Sequence, residues 1–464
     1  MFTETYPGGV TSTYAYDATG TPVSVSYSGP DWTAPLTDTI VPNAAGDWAT
    51  QAITDTATSL VSNQTYSYDN AARITNVQDS LNGQCTARAY TYDADSNRTG
   101  LTTDAPSSNG TCQTSTGTTA TTTYDSADRD TNTGYTYDTQ GDITSTPSAD
   151  ADGGGNITAT YYANDMLASQ AQNGTTMTWA LDPTEGRYAS YTQGGVTFTN
   201  HYSDGSNNPT WVSASNGGWT RSLTDLNGML AAQVTASGTT LELPDLHGDV
   251  MATATTSATS TGSTATYTYT EFGTPENGSP GTYGWLGGDQ ISGSALGGQL
   301  LMGVRAYNTS AGRFAQADPV AGGSANAYDY VNQNPLTGFD LTGRCDFWCE
   351  VFAGSIGGIV AGICVPIIGN GAICVGAGAG AYDTAAYWWD ASNPTWSGAL
   401  NAFLHGFVAG LMAGLAASAV LEGIGWLLGR FGWAAEGQIA SRLAKAIRNT
   451  HSRKTLTNWL RGHL

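Results

Sequence analysis

Through most of the first three quarters of the chain, apolar and polar positions alternate with a period of two. The alternation comes in units: Tyr14-Ala-Tyr-Asp-Ala-Thr-Gly20, Thr65-Tyr-Ser-Tyr-Asp-Asn-Ala-Ala-Arg73, Tyr90-Thr-Tyr-Asp-Ala-Asp-Ser-Asn-Arg98, Thr123-Tyr-Asp-Ser-Ala-Asp-Arg129 and Tyr135-Thr-Tyr-Asp-Thr-Gln-Gly141, with a worn copy at Tyr161-Tyr-Ala-Asn-Asp165. A period of two puts successive side chains on opposite faces of a strand. Tyr-x-Tyr closed by Asp and a Gly- or Asn-containing turn is a strand-turn-strand signal. Repeated, it predicts a stack of hairpins with aromatic ladders on one face, and a mainly β protein.

The period changes after residue 344. Two runs, 351–382 and 395–421, contain no Asp, Glu, Lys or Arg. Gly354, Gly358 and Gly362 recur every four residues in the first, and Gly406, Gly410 and Gly414 in the second. That spacing places each set on one helical face, where small residues let membrane helices approach closely. Each run is long enough to cross a hydrocarbon core of about 30 Å. Residues 439–464 put Ile439, Leu443, Ile447, Leu456, Trp459 and Leu460 at helical spacing among cations, an amphipathic basic pattern suited to an anionic lipid surface. The expectation is a β body followed by an α-helical, hydrophobic C-terminal domain.

Charge sharpens that boundary. The net charge is −22, yet from Cys345 onward six acids meet seven bases, so the body alone is acidic. Such a body is not built to bind nucleic acid. Residues 438–464 carry Arg442, Lys445, Arg448, Arg453, Lys454 and Arg461 and no acid. Six cysteines (Cys85, Cys112, Cys345, Cys349, Cys364, Cys374) have no His or second close pair beside them, so neither a metal nor another cofactor is expected. Their even number fits disulfides, with Cys85–Cys112 as one pairing in the body and two bridges beyond it; spacing does not fix the connectivity. The N-terminus has no basic and apolar leader and starts within the repeat texture, which suggests that a longer product precedes it. His405, His451 and His463 lack the neighbours of a nuclease motif.

The unit Tyr-Asp-x-x-Gly-(Asn/Arg)-(Ile/Leu)-Thr resembles the YD or RHS repeat. Further landmarks follow in order: Asp245-Leu-His-Gly-Asp249-Val, Tyr267-Thr-Tyr-Thr-Glu-Phe-Gly273, Gly303-Val-Arg-Ala-Tyr307-Asn-Thr-Ser-Ala-Gly312-Arg-Phe and Ala327-Tyr-Asp-Tyr-Val-Asn-Gln-Asn-Pro335. These look like the family's repeat-associated core, and the resemblance covers residues 1–344. It implies a YD-repeat β-hairpin shell over 1–240, cocoon-like and here partial, a core with a self-cleavage motif over 241–344, and a variable toxin-like tip over 345–464. The repeat tyrosines read as packing; carbohydrate binding by exposed aromatics is the minor reading.

The segments Arg313-Phe-Ala-Gln-Ala-Asp318-Pro-Val-Ala-Gly322 and Phe339-Asp340-Leu-Thr-Gly-Arg344 are similar to the family's paired Asp-Pro-x-Gly signature. The resemblance implies an aspartyl-type self-protease with Asp318 and Asp340 as its dyad, Arg313 as the supporting cation, and cleavage between Arg344 and Cys345. The chemistry is coherent on its own terms. Two adjacent carboxylates share a proton, so one can activate water while the other polarises the scissile carbonyl. Leu341 stands where the family motif has Pro, and the first motif has its Gly one place late.

Two functional classes follow. In the first, the chain belongs to a secreted bacterial polymorphic toxin that encloses and releases a membrane-active or translocation tip against competitors. The target-cell membrane and a cognate immunity protein would then be its partners. In the second, it is a cell-surface or wall-associated structural protein anchored by its hydrophobic end. A third expectation, that an effector enzyme lies beyond the tip, follows from the short tail after the Gly-rich runs.

Overall fold

The computed structural model describes residues 2–320 and 324–344. The helical domain expected over 345–464, its glycine stripes and Cys345 lie outside the described residues. Within them the protein is mainly β. Among the described residues there are twenty-eight strands, five short 3-10 segments and no α-helix. Two long sheets dominate. The first has ten strands from Phe2–Thr5 to Thr118–Thr121 and the second thirteen, from Thr136–Tyr137 to Ala265–Thr266. In both, each strand pairs with the one before it, antiparallel, so each sheet is an unbroken meander.

The repeat unit explains this regularity. The Asp of each unit caps its own turn. Asp69 Oδ1 accepts from the amides of Ala71 and Arg73 (2.9 and 3.1 Å), Asp125 from Ala127 and Arg129 (2.9 and 3.1 Å), and Asp138 from Gln140 and Asp142 (3.0 and 2.9 Å). The residue three places after the Asp has positive φ: +101° at Gly141, but also +61° at Ala72 and +60° at Asp128. Glycine takes that conformation without penalty, and where it has been replaced, the Asp side chain still satisfies the turn amides. The tyrosines are spent as well. Tyr68 donates to Trp48 O at 2.8 Å, Tyr92 to Ile74 O at 2.6 Å and Tyr161 to Ile143 O at 2.6 Å, each stitching one unit to its predecessor.

The described residues after 267 pack against both sheets. Phe272 and Leu336 pack on Trp48, Tyr66, Ile74 and Tyr90 of the first sheet, and Val304, Ala306 and Ala315 pack on Ile143, Met177 and Trp179 of the second. An ion cluster ties the first sheet to this core: buried Arg88 meets Asp79 at 2.6 Å, Glu271 at 2.8 Å and Glu276 at 2.9 Å. Cys85 and Cys112 are bonded, closing the far end of the first sheet over a separation of 27 residues. Cys85→Ser is expected to cost about 3 kcal/mol through the loop entropy it releases, measured as a lower denaturant midpoint that reducing agent reproduces in the wild type.

Candidate active site

A three-stranded ribbon carries the site: β26 (Gln299–Met302), β27 (Arg305–Asn308) and β28 (Arg313–Phe314). The turn between β26 and β27 is pinned from outside, since Val304 donates its amide to Thr342 O at 3.0 Å. Gly303, at φ +53°, makes that crossing feasible, because a Cβ there would lie 2.1 Å from Thr342 O. Gly343, at φ +65°, is its counterpart, with Met302 O 2.6 Å from where a Cβ would stand. The Asp340–Gly343 segment is therefore laid across the ribbon by backbone contact.

Both sequence-predicted aspartates converge on one guanidinium, that of Arg305. Its Nη2 lies 2.6 Å from Asp340 Oδ2 and 3.1 Å from Asp318 Oδ2. All three side chains are buried, with relative exposures of 1% for Arg305, 5% for Asp318 and 4% for Asp340. The second oxygen of Asp340 accepts from Gly343 N at 2.8 Å, while Asp318 accepts from Val320 N at 2.8 Å and Ser324 Oγ at 2.9 Å. Arg305 also stacks on Phe314, 3.6 Å from the ring centre, a desolvated cation–π contact. Its Nε and Nη1 are buried and have no hydrogen-bond partner among the described residues. Burial pushes the Asp340 carboxyl above the ordinary carboxylate range; Arg305 pulls it back and Asp318 pushes it up again. Leu341 packs against the aromatic core of Tyr269, Trp285 and Tyr307, so it anchors the turn by burial where proline would have stiffened it. Arg344 is exposed.

Arg313 is not at the pair. It donates to Asp128 O at 2.5 Å and stands over the rings of Tyr124 (4.9 Å) and Tyr328 (4.7 Å). Its place on the two-residue β28 aims it at the turn of a repeat. Arg305, which sequence reasoning missed, had one signal. It is a lone cation inside the otherwise uncharged run Gln299-Leu-Leu-Met-Gly-Val-Arg-Ala-Tyr307, and a buried arginine needs an anionic partner.

The chain that leads into Asp340 is held by His247. Its Nε2 lies 2.7 Å from Pro335 O and its Nδ1 2.9 Å from Asp249 Oδ1. Phe339 stacks on the ring at 5.1 Å. Burial pushes the imidazole down, but Asp249, Asp245 and the Pro335 carbonyl outweigh it and hold it up at about 9. A folded-state value raised above the ordinary 6.5 or so stabilises the fold most below that value, and the contribution is lost as pH rises through about 9. The stability gap between wild type and His247→Gln is therefore expected to shrink by on the order of 3 kcal/mol from about pH 6 to pH 10 in urea titrations. An unchanged gap would mean that the ring is neutral throughout. Among the described residues no cluster of His, Cys, Asp and Glu is placed to hold a metal ion.

No protein-family model matches the chain and no curated protein matches it. Solved structures do share its fold. The Photorhabdus luminescens Tc holotoxin pore carrying a TccC3 point mutation aligns with a TM-score of 0.59 at 15% identity, over 74% of this chain and 18% of that one. The TcdB2-TccC3 complex aligns with a TM-score of 0.53 at 14% identity over 74% and 19% of the two chains. The TcdB2-TccC3-Cdc42 complex gives 0.52 at 14% identity over 76% and 19%. The protein thus has the β-shell fold found in these toxin-complex chains and spans about a fifth of their length.

Proposed function

We propose that this chain is part of a secreted, RHS-type polymorphic toxin whose core cuts the chain after Arg344 and so releases residues 345–464. The observation that carries the proposal is the single buried guanidinium shared by Asp318 and Asp340, four residues before an exposed Arg344. In this reading the dyad holds one proton. The ionised carboxylate takes a proton from water, the protonated one donates to the scissile carbonyl, and the Arg305 guanidinium stabilises whichever carboxylate is charged. The free Nε–H and Nη1–H of Arg305 are donors available to a developing oxyanion. A single turnover suffices, so modest rates are enough.

The released piece, with its glycine stripes and basic tail, acts on a target-cell membrane, and the producer is protected by an immunity protein. Dye leakage from anionic liposomes on adding the separated 345–464 piece is the expected result. Stable retention of the uncut chain in the producer's membrane, without leakage, would favour the anchored surface protein instead.

A further inference from the structure

The two carboxyls of the pair are held almost alike, oxygen for oxygen. Each Oδ1 accepts from a backbone amide at 2.8 Å, Val320 N for Asp318 and Gly343 N for Asp340. Each Oδ2 meets the same nitrogen of Arg305. The difference is a hydroxyl. Ser324 Oγ donates to Asp318 Oδ2 at 2.9 Å, and no hydroxyl among the described residues donates to Asp340. We infer that Ser324 is a positioning residue that makes Asp318 the ionised base of self-cleavage and leaves Asp340 as the proton donor. This assignment rests on the self-cleavage reading, which by itself leaves the two roles open.

The local fold supplies the contact. Asp318 N donates to Ala327 O at 2.7 Å, so the backbone doubles back and carries Ser324 to the carboxyl. A hydroxyl given to a carboxylate favours its charged form, and by more than a bond between neutral partners. The guanidinium pulls the other way, being 2.6 Å from Asp340 and 3.1 Å from Asp318. Burial outweighs that pull and holds the Asp340 carboxyl above the ordinary carboxylate range, as a proton donor at neutral pH requires.

The hydrolysis then has a direction. Asp318 takes a proton from water as the water oxygen bonds to the Arg344 carbonyl carbon, and Asp340 gives its proton to the carbonyl oxygen. On collapse Asp340 recovers a proton from one hydroxyl, Asp318 passes its own to the Cys345 nitrogen, and the C–N bond breaks. The pair ends with the one proton it began with.

The test is a pH series on the full chain, pulse-labelled by cell-free synthesis and moved to buffers from about pH 4 to pH 8, with the cut fraction followed in time. Loss of the hydroxyl makes ionised Asp318 harder to form, so its apparent pKa rises and the acidic limb of the rate moves up. Ser324→Ala should cut at the same bond with that limb about one pH unit higher, which on the limb is about tenfold slower. Its maximal rate and urea midpoint should stay near the wild-type values. Ser324→Thr, which keeps the hydroxyl, should restore the wild-type profile. An unshifted limb in Ser324→Ala, an equal loss at every pH, or no rescue by Ser324→Thr would overturn the assignment while leaving self-cleavage in place. A wild type that stays whole at every pH would instead overturn self-cleavage, and the assignment with it.

Discussion

Arg305→Met is expected to be the most damaging single substitution in the core, costing about 3–5 kcal/mol at neutral pH. The reason is what it leaves behind. Asp318 and Asp340 are buried, and their Oδ2 atoms share one guanidinium nitrogen. Without it, the pair keeps a desolvated negative charge with no cation beside it and must take up a further proton to stay buried. The loss should therefore be smaller at about pH 4 than at pH 7, because acid supplies the missing protons. A triple variant that adds Asp318→Asn and Asp340→Asn to Arg305→Met should recover much of the stability, since the charges needing the cation are gone. Urea midpoints of the single and triple variants at both pH values would check this. Equal losses in the two would mean that Arg305 acts through its packing on Phe314 alone.

Gly303→Ala is expected to destabilise nearly as much, for a steric reason. The new Cβ would lie 2.1 Å from Thr342 O, a backbone atom that cannot swing away. Either the β26–β27 turn or the Thr342–Arg344 segment has to move, at a cost of about 3 kcal/mol or more. Gly46→Ala is the control. Gly46 also has positive φ, +97°, but nothing lies within 4 Å of its Cβ position, so only local strain of about 1–2 kcal/mol is expected. Gly303→Ala should also slow the release of residues 345–464, because the scissile segment is the part displaced. Matching denaturant curves for the two glycine variants would contradict the crossing contact.

The meander was legible in the sequence because its signal is local. A Tyr-x-Tyr strand, an Asp that caps the turn amides and a residue at positive φ all lie within about eight positions of one another, and the repeats make the signal loud. The pairing of Asp318 with Asp340 was legible through their flanking motifs. Arg305 was not, because its role arises only when the 340–343 segment crosses the ribbon, and no local rule links a strand's first residue to a turn far along the chain. Arg313 entered through the resemblance of its segment to the family signature, yet β28 directs it to the turn at Asp128. His247 was likewise out of reach: its Asp-Leu-His-Gly-Asp context reads as a repeat turn, and the link to Pro335 is tertiary. The two-sheet arrangement was hidden for a related reason, since the break between the strands Thr118–Thr121 and Thr136–Tyr137 falls within the same repeat texture as its neighbours.

The most direct test of self-cleavage is the intact mass of the expressed chain beside that of Asp340→Asn. If the dyad works, the wild type appears as two pieces parted between Arg344 and Cys345, and Asp340→Asn as one uncut chain. A wild type that stays whole, or a variant cut at the same bond, would contradict an aspartyl self-protease built on Asp318, Asp340 and Arg305.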